Sequence, residues 1–290
     1  MKEQRPLFRL YHRIDRFGVH VPRRPAAAAA AGAAAAVLVA GCGHSGSSPA
    51  HANSPAAAAP VSPRQVPAAQ LARLPQATTY ARLHGVPTDP DPATLTSGLV
   101  VHPRTTQAVY ATPGGAPVAA LPSTELGSPT WVPVVQSRPG WDLILLPARP
   151  NHASGWIYTG GRALQSAETP YVISVNLAAR QVTVLDSGQK VGAWTVAVGA
   201  PGTPTPTGRT FLMASLQPTN PTYTPLILPL GAHSDTLDTF GGGPGTVALH
   251  GWPDTSVFGH AITHGCVRVP SAALDMLSHV PLGSLVLVRS

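Results

Sequence analysis

The chain has 290 residues, with 33 Pro, 28 Gly and a formal net charge of +7. That length allows one or two packed domains, while the Pro, Gly and alanine-rich runs mean that much of the chain is not core. Residues 1–41 hold seven Lys or Arg against Glu3 and Asp15, which leaves +2 for the remainder; with no basic stripe and no aromatics interleaved with charge, nucleic acid is excluded as a partner.

The basic front runs into an apolar stretch from Ala26 to Ala40 and then Gly41-Cys42, the order of n-region, h-region and processing site in an export signal. Fifteen apolar residues, mostly Ala, are short for a membrane-spanning helix. Val39-Ala40-Gly41-Cys42 resembles a bacterial lipobox, so residues 1–41 are read as a signal peptide. The resemblance implies an exported protein anchored through lipid on Cys42 to the outer face of the cytoplasmic membrane. The sequence has two cysteines, which an exported protein would ordinarily pair. A lipid on Cys42 removes that option and leaves Cys266 as a lone thiol, a candidate nucleophile.

Residues 42–75 are Ala, Pro and Ser with few large apolar side chains, too little to bury, and read as a tether. At about 3 Å per residue it extends on the order of 100 Å. Order is expected from near Leu99, with a small β domain over 98–165. Short β-branched or aromatic runs (Leu99–Val101, Ala108–Tyr110, Trp131–Val135, Trp141–Leu146 and Gly155–Tyr158) alternate there with turn clusters, as in an SH3-like barrel. Its aromatics Trp131, Trp141, Trp156 and Tyr158 either fill the core, the reading preferred here, or line a ligand groove.

A second β domain is expected over 170–290. Tyr171–Asn176 and Gln181–Leu185 alternate apolar and polar residues around a turn, a further run continues to Val198, and Leu285–Val288 closes the chain. The clear helix candidate is Ser271–His279, capped by Ser271, facing inward through Leu274 and Leu277 and stopped by Pro281. The fold class is therefore mainly β: a small SH3-like barrel followed by a β-sandwich domain with one or two short helices.

The chemistry concentrates in Ala248-Leu249-His250-Gly251-Trp252 and Thr263-His264-Gly265-Cys266-Val267-Arg268. A thiol with pKa near 8.5 is only ~3% ionised at pH 7, so a Cys nucleophile needs a base or a positive field beside it. His264 stands two residues from Cys266, on the same face if the strand is extended. His250 lies sixteen residues upstream, a span that suits an incoming strand, a loop and a return. Either imidazole could serve.

The pattern His-Gly-x(12)-Thr-His-Gly-Cys-x-Arg resembles the L,D-transpeptidase catalytic domain, also called YkuD, with Thr263 where Ser is commoner. Thr205-Pro206-Thr207-Gly208 and Gly241-Gly242-Gly243 also resemble family features, and the likeness spans about Tyr171 to Val288. It implies a YkuD-like sandwich with Cys266 as nucleophile, His250 as base and the Gly251 carbonyl orienting that imidazole. It further implies His264 as a motif member, Gly265 and Cys266 amides as an oxyanion hole, and Arg268, Gly251 and Thr263 in substrate binding. The reaction implied is release of terminal D-Ala from peptidoglycan tetrapeptide stems through a Cys thioester, with 3→3 cross-links as product. Water as acceptor would make it an L,D-carboxypeptidase. Carbapenem-type inhibitors would acylate the same sulfur, and no cofactor is called for. The tether would carry such an enzyme into the cell wall. Trp252 departs from the small hydroxyl residue usual after His-Gly, and Pro270-Ser271 from other polar residues.

Two other readings are weaker. His233, His250, His260, His264 and Cys266 could offer nitrogen and sulfur to a metal, but no second Cys or acidic ligand stands at motif spacing. His233 and His260 are expected on solvent-facing loops. A non-catalytic wall-binding lipoprotein, with the barrel as its working part, is the alternative of a different class.

Overall fold

The computed structural model describes residues 8–9, 61–220 and 223–290. The signal segment, Cys42 and most of the expected tether lie outside the described residues.

The N-terminal domain is built from strands β1 (Leu99–Pro103), β2 (Gln107–Tyr110), β3 (Pro117–Leu121), β4 (Val132–Arg138), β5 (Trp141–Leu145), β6 (Ser154–Tyr158) and β7 (Leu164–Glu168). They form one sheet in the order β7-β1-β4-β5-β6-β2-β3. The register of β4 shifts between Val134 and Gln136, so its first half pairs with β1 and its second half with β5. A strand shared in this way curls the sheet around one core, and the domain is all β apart from one helical turn. That core holds Val101, Val109, Leu121, Val132, Ile144 and Ile157, each at most 2% exposed.

Order begins well before Leu99. Residues 61–98 carry one helical turn, α1 (Ala68–Leu71), and otherwise no regular period, yet Ala77, Thr79, Leu83 and Asp89 are buried. Backbone bonds explain this: Ala77 N–H donates to Ala120 O at 2.7 Å and Leu83 N–H to Arg149 O at 2.8 Å. The segment is laid onto the barrel by main-chain pairing and scattered anchors, which leaves no alternation to read in its sequence.

The C-terminal domain comprises β8 (Tyr171–Asn176), β9 (Gln181–Asp186), β10 (Gln189–Thr195), β11 (Gly208–Phe211), β12 (Ile227–His233), β13 (Thr246–Gly251), β14 (Ala261–Thr263), β15 (Val267–Val269), α2 (Ser271–Ser278) and β16 (Leu285–Arg289). A five-stranded sheet β10-β9-β8-β16-β11 and a three-stranded sheet β12-β13-β15 share one hydrophobic core with α2, including Ile173, Val184, Leu249, Val267, Leu277 and Val286. Leu274 and Leu277 face that core, as their spacing requires. Ser271 does not cap the helix: the cap position is Pro270, and no side-chain bond closes the end.

The two domains share packing. Phe211 and Met213 of the C-terminal domain belong to the barrel's core cluster, and Arg209 on β11 forms a buried pair with Asp89. Thr79 links both sides: its N–H donates to the Glu125 carboxyl at 3.2 Å, and its carbonyl lies 2.8 Å from His233 Nε2. His233 is 0% exposed, not on a solvent-facing loop, and burial lowers its pKa to about 4. Burial raises that of Glu125 to about 7.

Glu125 binds its proton more tightly in the folded chain, so its contribution is complete below pH 4.5 and is lost as pH rises through about 7. His233 works in the opposite sense, contributing above pH 6.5 and losing that contribution as pH falls through about 4. Wild type should therefore lose on the order of 2–3 kcal/mol relative to Glu125→Gln between pH 5 and pH 8. Urea unfolding of both proteins across that range measures the difference.

Candidate active site

Strands β13 and β15 run parallel, with Leu249 opposite Val267, His250 opposite Arg268 and Gly251 opposite Val269. The stretch between the two motif halves thus makes a crossover through β14 rather than a simple return. Ala248 and His250 alternate onto one face of β13. The Ala248 N–H acts on Cys266 to favour its thiolate, and the strand that begins directly after Cys266 pairs with the one that bears His250. His250 is 8% exposed, and its Nδ1 lies 2.9 Å from Gly251 O. A carbonyl only accepts, so Nδ1 carries the proton and Nε2 is left as the basic nitrogen.

Burial raises the Cys266 pKa, against the lowering effects of the Ala248 N–H and the Arg268 charge. Burial also lowers that of His250, helped by Arg268 and opposed by its bond to Gly251. Near pH 7 the Cys266 thiol and the His250 imidazole are therefore both neutral.

The Thr-His-Gly-Cys loop is held from below. Thr263 is buried; its hydroxyl donates to Cys266 O at 2.5 Å and accepts from Gly265 N at 3.2 Å. It shapes the loop instead of facing the cleft. Thr205, from the upstream Thr-Pro-x-Gly turn, donates to Gly265 O at 2.8 Å. Thr203 donates to Thr263 O at the same distance. Gly265 has φ +111°, a conformation that only glycine adopts without strain. Residues 264–266 are outside any strand, so the alternation expected to put His264 and Cys266 on one face does not apply there. His264 is exposed and stacks on Phe240, with ring centroids 4.8 Å apart. Of the two amides expected to line an oxyanion hole, that of Gly265 is engaged by Thr263. The Cys266 amide donates to no protein group among the described residues.

Arg268 lies with its guanidinium 3.6 Å from the centroid of the Trp252 ring. Its Nε has no partner, and neither ion pair among the described residues includes it. A half-buried guanidinium stacked on an aromatic face and lacking a carboxylate is a ready receptor for an anionic group. Trp252, noted in the sequence only as a departure, is thus the platform for this cation. Sequence reasoning missed Tyr223 and Phe240. The Tyr223 ring meets His250 edge-on at 5.3 Å and lies 5.4 Å from Trp252. Both Tyr223 and Phe240 are large, exposed aromatics in polar, glycine- or proline-rich loops, the one sequence signal that marks them. Thr224 anchors the first loop, its hydroxyl accepting from Gly251 N at 2.9 Å. Between this loop, Gly251–Pro253 and α2 opens a cleft of about 390 Å³.

His260 is exposed at the start of β14. No group of three or more His, Cys, Asp or Glu among the described residues could hold a metal, and His233 bonds Thr79 instead.

Fold and site together define a mainly β domain in which two parallel strands carry His250 and follow directly on Cys266. Residues 170–288 match the YkuD family, the L,D-transpeptidase catalytic domain, in agreement with the motif resemblance. Similar solved structures include L,D-transpeptidase 3 from Mycobacterium tuberculosis with a faropenem-derived adduct, at 14% identity, covering 49% of this chain and 75% of that one, with a TM-score of 0.36. An L,D-transpeptidase from Mycobacterium smegmatis is 14% identical, with 55% and 82% coverage and a TM-score of 0.35. A cysteine-to-serine mutant of the Enterococcus faecium L,D-transpeptidase is 24% identical, with 42% and 50% coverage and a TM-score of 0.31. No curated protein sequence matches the chain.

Proposed function

We propose that this protein is a peptidoglycan L,D-transpeptidase working through a Cys266 thioester. The observation that carries the reading is the parallel pairing of the strand that bears His250 with the strand that begins directly after Cys266, inside a segment that matches the L,D-transpeptidase catalytic family. His250 Nε2 takes the thiol proton as sulfur attacks the carbonyl between the third residue of a tetrapeptide stem and its terminal D-Ala. The Cys266 amide stabilises the tetrahedral oxyanion. Nε2 then returns the proton to the departing D-Ala amine, leaving an acyl thioester. An amine from a second stem gives its proton to Nε2 as it displaces sulfur, forming a 3→3 cross-link and restoring the thiol. Arg268 receives a carboxylate of the substrate, held in place by Trp252. His264 supports the loop through its stack on Phe240.

The lipobox-like segment ending at Cys42 supports an exported protein carried on lipid at the membrane's outer face, with peptidoglycan stems as its substrate. Carbapenems, as strained acyl donors, would acylate the same sulfur.

Purified protein incubated with tetrapeptide-bearing wall fragments should yield free D-Ala and cross-linked dimers of 3→3 mass. D-Ala with tripeptide and no dimer would identify water as the acceptor and a carboxypeptidase. A folded protein that gives neither product nor carbapenem adduct would be a wall-binding lipoprotein instead.

A further inference from the structure

Three of the barrel's aromatic residues, Tyr110, Trp141 and Trp156, form with Leu143 a second cluster apart from its main core, with Tyr158 against them. Tyr110 and Trp141 meet at right angles at 5.1 Å, and Trp141 and Tyr158 edge-on at 5.4 Å. The polar tips of two of these rings point at the chain's own Val61-Ser62-Pro63-Arg64-Gln65-Val66-Pro67. Trp141 Nε1–H donates to Val61 O at 2.7 Å, and Tyr110 O–H to Arg64 O at 2.8 Å. Val66 packs on the cluster. At Gly114 any side chain would strike Val61, whose Cγ1 lies 2.5 Å from the Cβ position.

The two bonded carbonyls are three residues apart. A polyproline II helix has three residues per turn, so carbonyls at i and i+3 point the same way and can be read from one surface. Residues 61–66 make no backbone–backbone hydrogen bond among the described residues. They are held as a docked peptide is, by aromatic donors to carbonyls and by apolar contact, and not as a strand of the sheet. Proline at 63 and 67 pre-sets the extended shape and lowers the entropy lost on docking.

We propose that this aromatic face is a recognition site for extended, proline-bearing peptide, filled in cis by residues 61–67. The segment that sequence composition assigns to the tether thereby becomes the barrel's ligand. A peptide of the same sequence competes with it only at the millimolar effective concentration of a short linked segment.

Trypsin cleavage after Arg64, whose side chain is exposed, reports release of the segment in the full chain. Cleavage of wild type should quicken severalfold in roughly 5 mM of a peptide spanning 58–69 with Gln in place of the arginine, and a scrambled peptide should not change it. Tyr110→Phe should raise cleavage after Arg64 about fivefold, the factor one neutral hydrogen bond contributes, with an unchanged thermal midpoint. Equal effects from both peptides, or none from the authentic peptide in wild type and in Tyr110→Phe, would overturn the proposal and make 61–67 ordinary packing. The wild-type arm decides the matter should Tyr110→Phe fold poorly.

Discussion

Cys266→Ala should form no carbapenem adduct, while wild type gains one inhibitor mass per chain by intact mass spectrometry, because no other thiol lies among the described residues. His250→Ala should slow acylation by about 10²–10⁴-fold, the range that general-base assistance supplies. Its sulfur would remain protonated, since burial raises the Cys266 pKa and the base that removes the proton is gone. His260→Ala should change little, as His260 sits at the outer end of β14; an equal loss in both variants would reject His250 as the base. The pH profile carries a further sign. Burial lowers the His250 pKa from 6.5, and only neutral imidazole accepts the thiol proton. The acid limb of the acylation rate should therefore fall below pH 6.5, whereas a pre-formed thiolate–imidazolium pair would place it with the thiol's own ionisation.

The second large effect is on stability. Arg209 Nε and Nη2 donate to the two oxygens of Asp89 at 2.6 and 2.5 Å, with side chains 3% and 0% exposed. Arg209 Nη1 also donates to Thr94 Oγ1 at 3.1 Å. Removing one member strands the other as a buried charge, so Asp89→Ala should cost about 3–5 kcal/mol in urea unfolding, and Arg209→Ala a similar amount. Replacing both by apolar residues of like volume should recover most of that loss, because the larger penalty comes from the orphaned ion rather than from the missing attraction. A cost near that of a surface pair for Asp89→Ala would contradict the bidentate geometry. The pair joins the 61–98 segment to β11, which is hydrogen-bonded to β16, so unfolding of both domains should move together.

The barrel also supports the rim of the site. Arg149 donates to the carbonyls of Ser234, Leu237 and Pro244 at 2.9, 2.9 and 3.0 Å. These bonds fix both ends of the loop that carries Phe240, the ring on which His264 rests. The N-terminal domain is thus part of how the motif loop is held, a role that no local pattern around Arg149 announces.

Local sequence determined much of this protein. Alternation placed Tyr171–Asn176 and Gln181–Leu185 in strands, short β-branched or apolar runs did so for Leu99–Val101 and Leu285–Val288, and the Leu274/Leu277 spacing set the inward face of α2, because burial imprints its pattern on neighbouring residues. The lone thiol and its motif singled out Cys266. Tertiary structure decided the rest: that His264 stacks on Phe240, that Thr263 turns inward, that Arg268 stacks on Trp252, and that 61–98 is packed. Each of these depends on one left-handed glycine or on contacts between residues far apart in the chain, and such contacts leave no period behind in the sequence that makes them.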